Sequence, residues 1–160
     1  MANTLAKKFE AKVPEDWKRT FPKSVIIRLP DQMTGYKDTS KNPCDYVAFA
    51  YGMLFMLEVK SHKGNTFPFS CLTQYENLSS YLGHEDVRVG VILWLYEHDA
   101  VMYVPLNSIK QMKADGLKSV NIKMLDNENC KYKIVRIPSE KKRIYMDSDY
   151  SVMLTLKDGD

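Results

Sequence analysis

Two carboxylates and a lysine are spaced along one short stretch of the sequence in a way that suits metal-dependent chemistry. Asp45 and Glu58 lie near the two ends of segment 45–60, and Lys60 follows Glu58 by two residues. Because residues i and i+2 of a β-strand project to the same side, Glu58 and Lys60 should project together. Most neighbouring residues are apolar, and charges there are costly unless something neutralises them. The pattern predicts a divalent cation beside the two acids.

The residue types also indicate which cation and which reaction. Carboxylate oxygens from Asp45 and Glu58 suit Mg²⁺ or Mn²⁺, and the carbonyl of Val59 can supply a third oxygen. Water held by such an ion can become a nucleophile, while Lys60 orients it or stabilises a phosphoryl group under attack. These parts suffice for hydrolysis of a phosphodiester. A Glu-x-Lys triplet on a solvated strand edge is the alternative that these residues alone leave open.

The elements that position these residues can be predicted from periodicity. Segments 45–51 and 53–60 are typical of two strands joined in a tight hairpin near Gly52. A first helix should begin at Asn3 or Thr4, and Pro14 either breaks it or opens a second helix. Its apolar face would consist of residues spaced by four, namely Leu5, Phe9, Val13 and Trp17. A strand is predicted over 24–29 and a polar loop over Pro30 to Pro43.

The rest of the chain completes a mixed α/β domain with a central sheet. A helix should run from Ser70 or Thr73 through Leu82, and the following elements are strands 87–96 and 100–104, a short helix 105–114 and a strand 132–137. Alternating aromatics should belong to the core, namely Tyr46, Phe49, Tyr51 and Phe55. We interpret residues 1–160 as a single domain with a core over about 3–116 and a C-terminal extension over about 117–160.

The composition sets limits on the class of protein. The chain has 160 residues, of which 44% are hydrophobic, a net charge of +3 and three cysteines. One compact domain with a real core fits these values. No apolar run approaches the length of a membrane span, and the scattered cysteines indicate neither a disulfide framework nor a zinc site. A reduced cytoplasmic protein without a membrane partner is expected, and the mild positive charge permits an anionic partner.

The segment Asp45-x12-Glu58-Val59-Lys60, with Pro43 two residues before the aspartate, resembles the PD-(D/E)xK nuclease signature. More narrowly, it is similar to RecU-type Holliday-junction resolvases and their phage-encoded relatives. The similar stretch covers roughly residues 5–105. The resemblance implies a restriction-endonuclease-like fold, meaning a central mixed sheet flanked by helices. It also implies a Mg²⁺-dependent, structure-selective DNA endonuclease that acts in recombination and repair, with Mn²⁺ as a substitute cofactor.

The same resemblance implies roles for further residues. Glu10 matches an acid that completes the metal site, and Gln74 matches a residue that holds the active site or the scissile strand. Contacts to DNA would come from residues around the site and from the loop before Asp45, namely Lys7, Lys8, Tyr36, Lys37, Lys41, Lys63, Thr66 and Ser70. Each of these also has the ordinary interpretation of a solvated surface residue.

Partners and alternatives follow from the family's activity. Symmetric cutting of branched DNA favours a homodimer, and a phage-encoded protein would act in the bacterial host cytoplasm. The loop over 30–43 is short for the stalk of a RecU-type enzyme. The alternatives are therefore a DNA-binding or recruitment module on a nuclease fold, or a nuclease for simple duplex DNA.

Overall fold

The computed structural model describes residues 2–30 and 42–157. Three α-helices and ten strands are defined in these ranges, in the order α1 Ala2–Thr20, β1 Val25–Arg28, β2 Tyr46–Ala50, β3 Met53–His62, β4 Thr66–Pro68, α2 Tyr75–Ser79, β5 Val87–Leu95, β6 Ala100–Pro105, α3 Leu106–Ala114, β7 Ser119–Asn121, β8 Val135–Arg136, β9 Ser139–Lys141 and β10 Met146–Ser148. Three 3₁₀ helices cover Phe69–Cys71, Ile122–Met124 and Tyr150–Thr155. The predicted α/β class is confirmed.

A six-stranded mixed sheet forms the centre of the domain. Its strand order is β1-β2-β3-β5-β6-β8, in which only the β3–β5 pair is parallel. Parallel neighbours need a long crossover, and here the chain segment 63–86 supplies it. This central mixed sheet flanked by helices is the arrangement expected of a restriction-endonuclease-like fold.

The hairpin between β2 and β3 forms as predicted. Tyr51 and Gly52 have φ values of 51° and 79°, the double positive φ that a two-residue type I′ turn requires. The turn sets a register in which Ala50 pairs with Met53 and Tyr46 with Leu57. Continued by one residue, this register brings Asp45 opposite Glu58.

Helix α1 runs through Pro14 without ending, so neither predicted effect of that proline occurs. Proline cannot donate to the carbonyl four residues earlier, which is that of Glu10. The hydroxyl of Tyr46 donates to this carbonyl instead, at 2.8 Å. A side chain of β2 thus replaces the missing backbone donor, and the bond ties α1 to the strand that Asp45 immediately precedes.

Two hydrophobic clusters lie on opposite faces of the sheet. The first contains the predicted face of α1, with Phe9, Val13 and Trp17 buried against it, and the second contains the crossover segment and α3. Tyr46 and Phe55 are buried as predicted, but the prediction is wrong for Phe49 and Tyr51, which are 52% and 72% exposed. Phe49 lies on the opposite face of β2 from Tyr46, which is the face of the second cluster, but α3 packs there on β5 and β6 rather than on β2. Tyr51 lies in the turn.

Several predicted boundaries also change. The strand predicted over 53–60 continues to His62, which shortens the connection that follows. Thr66 belongs to strand β4. The helix predicted from Ser70 or Thr73 to Leu82 is replaced by a 3₁₀ turn at Phe69–Cys71 and the five-residue helix α2. Pairing of β4 with β7 and a bond from Phe69 N to Lys118 O tie this segment to the region after α3. These ties compete with a regular helix. Of the strand predicted over 132–137, only Val135–Arg136 forms.

The C-terminal extension packs against α1 and completes the first cluster with Ile137, Met146, Tyr150, Met153 and Leu156. Asp16 of α1 is buried there, where one carboxylate oxygen accepts a bond from Ser148 N at 3.0 Å and the other pairs with Lys12 at 3.0 Å. No helix within the described residues is long and apolar enough to cross a membrane.

Candidate metal and nuclease site

The candidate site lies where β2 stops pairing with β3. The last ladder bond between them runs from Asp45 N to Leu57 O, at 3.1 Å. Two residues further along β3, the next amide on the same edge belongs to Val59, and the carboxylate of Asp45 accepts its hydrogen bond at 2.7 Å. The side chain of Asp45 thus takes the place of the next strand residue. Since N–H and C=O of one residue face the same neighbour in an antiparallel ladder, the Val59 carbonyl also faces this edge.

Glu58 is the most unusual residue of the site. Its side chain is 1% exposed and projects to the sheet face that carries Met56 and the second hydrophobic cluster. Lys60 on the same face brings its Nζ to 3.0 Å from Glu58 Oε1. Neither oxygen of Glu58 has a hydrogen-bond partner of suitable geometry within residues 2–30 and 42–157. A nearly dry carboxylate with one ion-pair contact needs further positive charge.

The surroundings of Glu58 change its acidity. Burial raises the pKa of Glu58 to about 7, and the negative charges of Asp45 and, more weakly, Glu10 act in the same direction. The positive charge of Lys60 opposes them. Burial and the charge of Glu58 also raise the pKa of the neighbouring Cys44 thiol to about 12, so Cys44 stays a neutral thiol. Its thiol donates to the Tyr46 carbonyl at 3.2 Å.

Glu10 approaches the site from the other side of the sheet. Its side chain is 24% exposed and pairs with Arg28 of β1, with Nη2 and Oε1 3.0 Å apart. Arg28 is not among the site residues predicted from the sequence. The pairing of Arg28 with Tyr46 in the sheet, which sets it beside Asp45, could be found only from the register of β1 on β2.

The fit of a metal ion rests on the oxygens at this edge. Asp45 accepts from the Val59 amide through one carboxylate oxygen, and the Val59 carbonyl faces the same edge. Glu58 Oε1 lies 3.0 Å from Lys60 Nζ, and Glu58 Oε2 has no hydrogen-bond partner in the described part of the chain. These hard oxygen donors suit Mg²⁺ or Mn²⁺. Among the described residues, no three Asp, Glu, His or Cys side chains are already gathered closely enough to hold one ion. Two carboxylates and a carbonyl therefore fit the ion, and the participation of Glu10 stays a prediction.

The other predicted residues lie at differing places. Gln74 precedes the first turn of α2, and its amide oxygen accepts from the Thr73 hydroxyl at 3.1 Å. Thr66 begins β4 and Ser70 is exposed in the 3₁₀ turn, both after the site strand β3. Lys63 is exposed and lies 3.8 Å from Glu97. Lys7 and Lys8 are exposed on α1. Tyr36, Lys37 and Lys41, with most of the predicted loop, lie outside the described residues.

Comparison with known proteins gives a distant structural similarity. No family model and no curated protein matches the chain. Among solved structures, it is similar to Hjc from Archaeoglobus fulgidus, a Holliday junction resolvase from an archaeal hyperthermophile. Sequence identity is 22%, the match covers 82% of this chain and 86% of that one, and the TM-score is 0.42. At these values the likeness assigns no activity to this chain, and a RecU-type or phage-like origin stays a prediction.

Proposed function

We propose that this protein is a metal-dependent DNA endonuclease and, more narrowly, a structure-selective nuclease of the Holliday-junction resolvase type. The observation that carries the proposal is the buried Glu58 carboxylate, which among the described residues is met by the ammonium group of Lys60 alone and lies beside Asp45 at one sheet edge. A structural ion pair would gain from complete hydrogen bonding, whereas a metal site needs oxygens that are still available.

Each residue would have a definite task in the reaction. Asp45 and Glu58, with the carbonyl of Val59, would hold Mg²⁺, and Glu10 is the nearest further acid. The ion supplies Lewis-acid chemistry at the phosphate and lowers the pKa of water. Once Glu58 faces a cation, Lys60 no longer has to neutralise it. The Lys60 ammonium can then orient the attacking water or donate to a phosphoryl oxygen, where charge develops during the reaction.

The proposed substrate is DNA, and the proposed assembly is a homodimer. Two sites related by a two-fold axis can cut two strands of a branched molecule symmetrically. This part of the proposal rests on the resemblance of segment 42–61 to RecU-type resolvases. Exposed basic residues on α1, such as Lys7 and Lys8, are available for phosphate contacts that would make binding depend on salt.

Cleavage of matched DNA substrates tests both levels of the proposal. The wild-type protein should cut a labelled four-way junction in Mg²⁺ and leave a linear duplex of the same sequence largely intact. Asp45→Asn and Glu58→Gln, which preserve side-chain shape, should each abolish cutting while junction binding persists. Equal cutting of junction and duplex would contradict junction selectivity and favour a duplex nuclease. Binding without any cutting in Mg²⁺ or Mn²⁺ would contradict the nuclease and favour a recruitment module.

A further inference from the structure

The sheet face that carries Glu58 is covered over only part of its width. Segment 67–78 and α3 form the layer that buries the second cluster, and α3 packs on β5 and β6. Strands β1 and β2 form the other end of the sheet. On this face they carry an apolar surface, here called the β1–β2 patch, which consists of Val25, Ile27, Val47 and Phe49. Val25, Ile27 and Phe49 are 54%, 56% and 52% exposed, so the layer does not cover them.

The β1–β2 patch is one continuous, flat and uncharged surface. Val25 pairs with Phe49 in the sheet, and Ile27 pairs with Val47. Side chains paired in this way lie about 5 Å apart on the same face. Together they expose roughly 300 Å² of apolar area, a size at which a surface patch commonly marks a contact with another molecule. Because the patch carries no positive charge, it is not suited to the phosphates of DNA.

A second copy of the chain supplies a matching surface. A two-fold axis brings the same patch of both copies together, so that apolar side chains pack on apolar side chains. Two flat sheet faces pack about 10 Å apart. The two patches would bury roughly 600 Å² in total, which is below the roughly 1,200 Å² at which stable interfaces begin. The area therefore fits a weak, reversible dimer.

We propose that two copies of this protein associate face to face through the β1–β2 patch, around a two-fold axis that runs parallel to the strands. The covering layer determines this direction, because a helix is about 10 Å thick and fills a gap of that width. With the axis parallel to the strands, the partner's sheet extends away from the layer, and each layer lies beside the partner's β1 edge. With the axis across the strands, the two layers would occupy the same gap and collide.

This arrangement determines where the two candidate sites lie in the dimer. Two residues beyond Ile27, the register of the sheet brings Leu29, Asp45 and Glu58 side by side, about 7 Å from the patch. An axis parallel to the strands puts both sites at the same end of the dimer, roughly 17 Å apart from strand and sheet spacings. That separation is shorter than one DNA turn of about 34 Å. The inference rests on the proposed nuclease function for its purpose, since both sites could then reach one branched molecule.

Sedimentation of the metal-free protein over a range of concentrations tests the interface without DNA. The wild type should pass from monomer to dimer as its concentration rises through the micromolar range. Ile27→Lys and Phe49→Lys would each bury a charge in the interface and should weaken association at least about tenfold. Ile144→Lys is the matched control, because Ile144 is 41% exposed outside the patch, and it should associate like wild type. A wild type that stays monomeric at millimolar concentration, or undiminished association of both patch variants, would overturn the inference.

The distance between two spin labels tests the direction of the axis in the folded protein. Lys63→Cys, introduced together with Cys71→Ser and Cys130→Ser, places one label per copy at the exposed end of β3 nearest the site. Lys63 lies about 27 Å along the strands from the centre of the patch. The label separation should therefore be below about 35 Å for the proposed axis, whereas an axis across the strands would give more than about 50 Å.

The inference and the nuclease proposal can fail separately. A separation above about 50 Å would overturn the proposed axis even if the protein cuts junctions. A patch dimer with the short separation, in a protein that cuts no DNA in Mg²⁺ or Mn²⁺, would support the interface and contradict the nuclease.

Discussion

The burial of Glu58 should make the metal-free protein less stable at neutral pH than at mildly acidic pH. The pKa of Glu58 is raised from its ordinary value of 4.5 to about 7 in the folded chain. The folded state therefore holds the proton more tightly than the unfolded state. As pH rises through the window from about 4.5 to 7, the carboxylate must ionise inside the fold, and its contribution to stability is lost. A pKa difference of this size corresponds to about 3 kcal/mol.

Glu58→Gln removes that ionisation at nearly constant shape. At pH 8, without metal, the variant should therefore be more stable than wild type by up to about 3 kcal/mol, which for a domain of this size corresponds to roughly 10 °C in Tm. At pH 4 the two proteins should be about equal, because the carboxyl group is then protonated in both states. Glu128→Gln is the matched control, since Glu128 is exposed, and its stability should follow that of wild type at both pH values.

Thermal unfolding with and without Mg²⁺ completes the test. An ion bound to the carboxylate at a hundred times its dissociation constant adds about 2.7 kcal/mol. Mg²⁺ should accordingly stabilise the wild type and Glu128→Gln at pH 8, but not Glu58→Gln. If Glu58→Gln were no more stable than wild type at pH 8, the reasoning about a costly buried charge would be refuted. Equal stabilisation of all three proteins by Mg²⁺ would refute the metal assignment.

Four further outcomes are expected. Lys60→Ala should lower the single-turnover cleavage rate by about a hundredfold or more, with Mg²⁺ binding retained, because we propose that Lys60 acts in the transition state. Lys60→Arg should not restore the rate fully, since a planar guanidinium does not replace a compact ammonium. Unchanged rates would contradict this role. Ca²⁺ should support DNA binding without cutting, whereas Mn²⁺ should replace Mg²⁺, and robust product in Ca²⁺ alone would require another mechanism. A triple alanine variant of Tyr36, Lys37 and Lys41 should lose more affinity for the junction than for the duplex in a gel-shift titration. Equal losses on both substrates would mark these residues as general phosphate contacts. Tyr46→Phe should lower the free energy of urea unfolding by about 1–3 kcal/mol because it removes the hydrogen bond to the Glu10 carbonyl. Adding Pro14→Ala should recover part of this loss by restoring the helix donor, and an unaltered loss in the double variant would argue against the exchange of donors.

Local patterns predicted the hairpin and its site residues because the information lies in neighbouring residues. The two-residue turn at Tyr51–Gly52 and the alternation along β3 determine where Glu58 and Lys60 project. The central strands β5 and β6 could be predicted equally well, since long apolar runs that form buried strands have few other interpretations.

Three of the wrong predictions depend on distant parts of the chain. Helix α1 continues through Pro14 because Tyr46, 32 positions later, supplies the missing donor. The helix predicted after Ser70 is replaced because β4 pairs with β7, about fifty residues away. Arg28 meets Glu10 only once β1 has paired with β2. None of these contacts has a signal in the local sequence, so periodicity could not reveal them.

The position of Asp45 gives one carboxylate two tasks. Beyond Leu57, strand β3 presents backbone groups along an edge that β2 no longer covers, and unpaired edges of this kind can recruit strands from other molecules. Asp45 occupies the Val59 amide at this edge and places a negative charge beside it. The residue that we propose as a metal ligand would therefore also protect the sheet from strand addition. In concentrated solution Asp45→Ala should therefore aggregate more readily than Asp45→Asn, because the asparagine retains an acceptor for the Val59 amide.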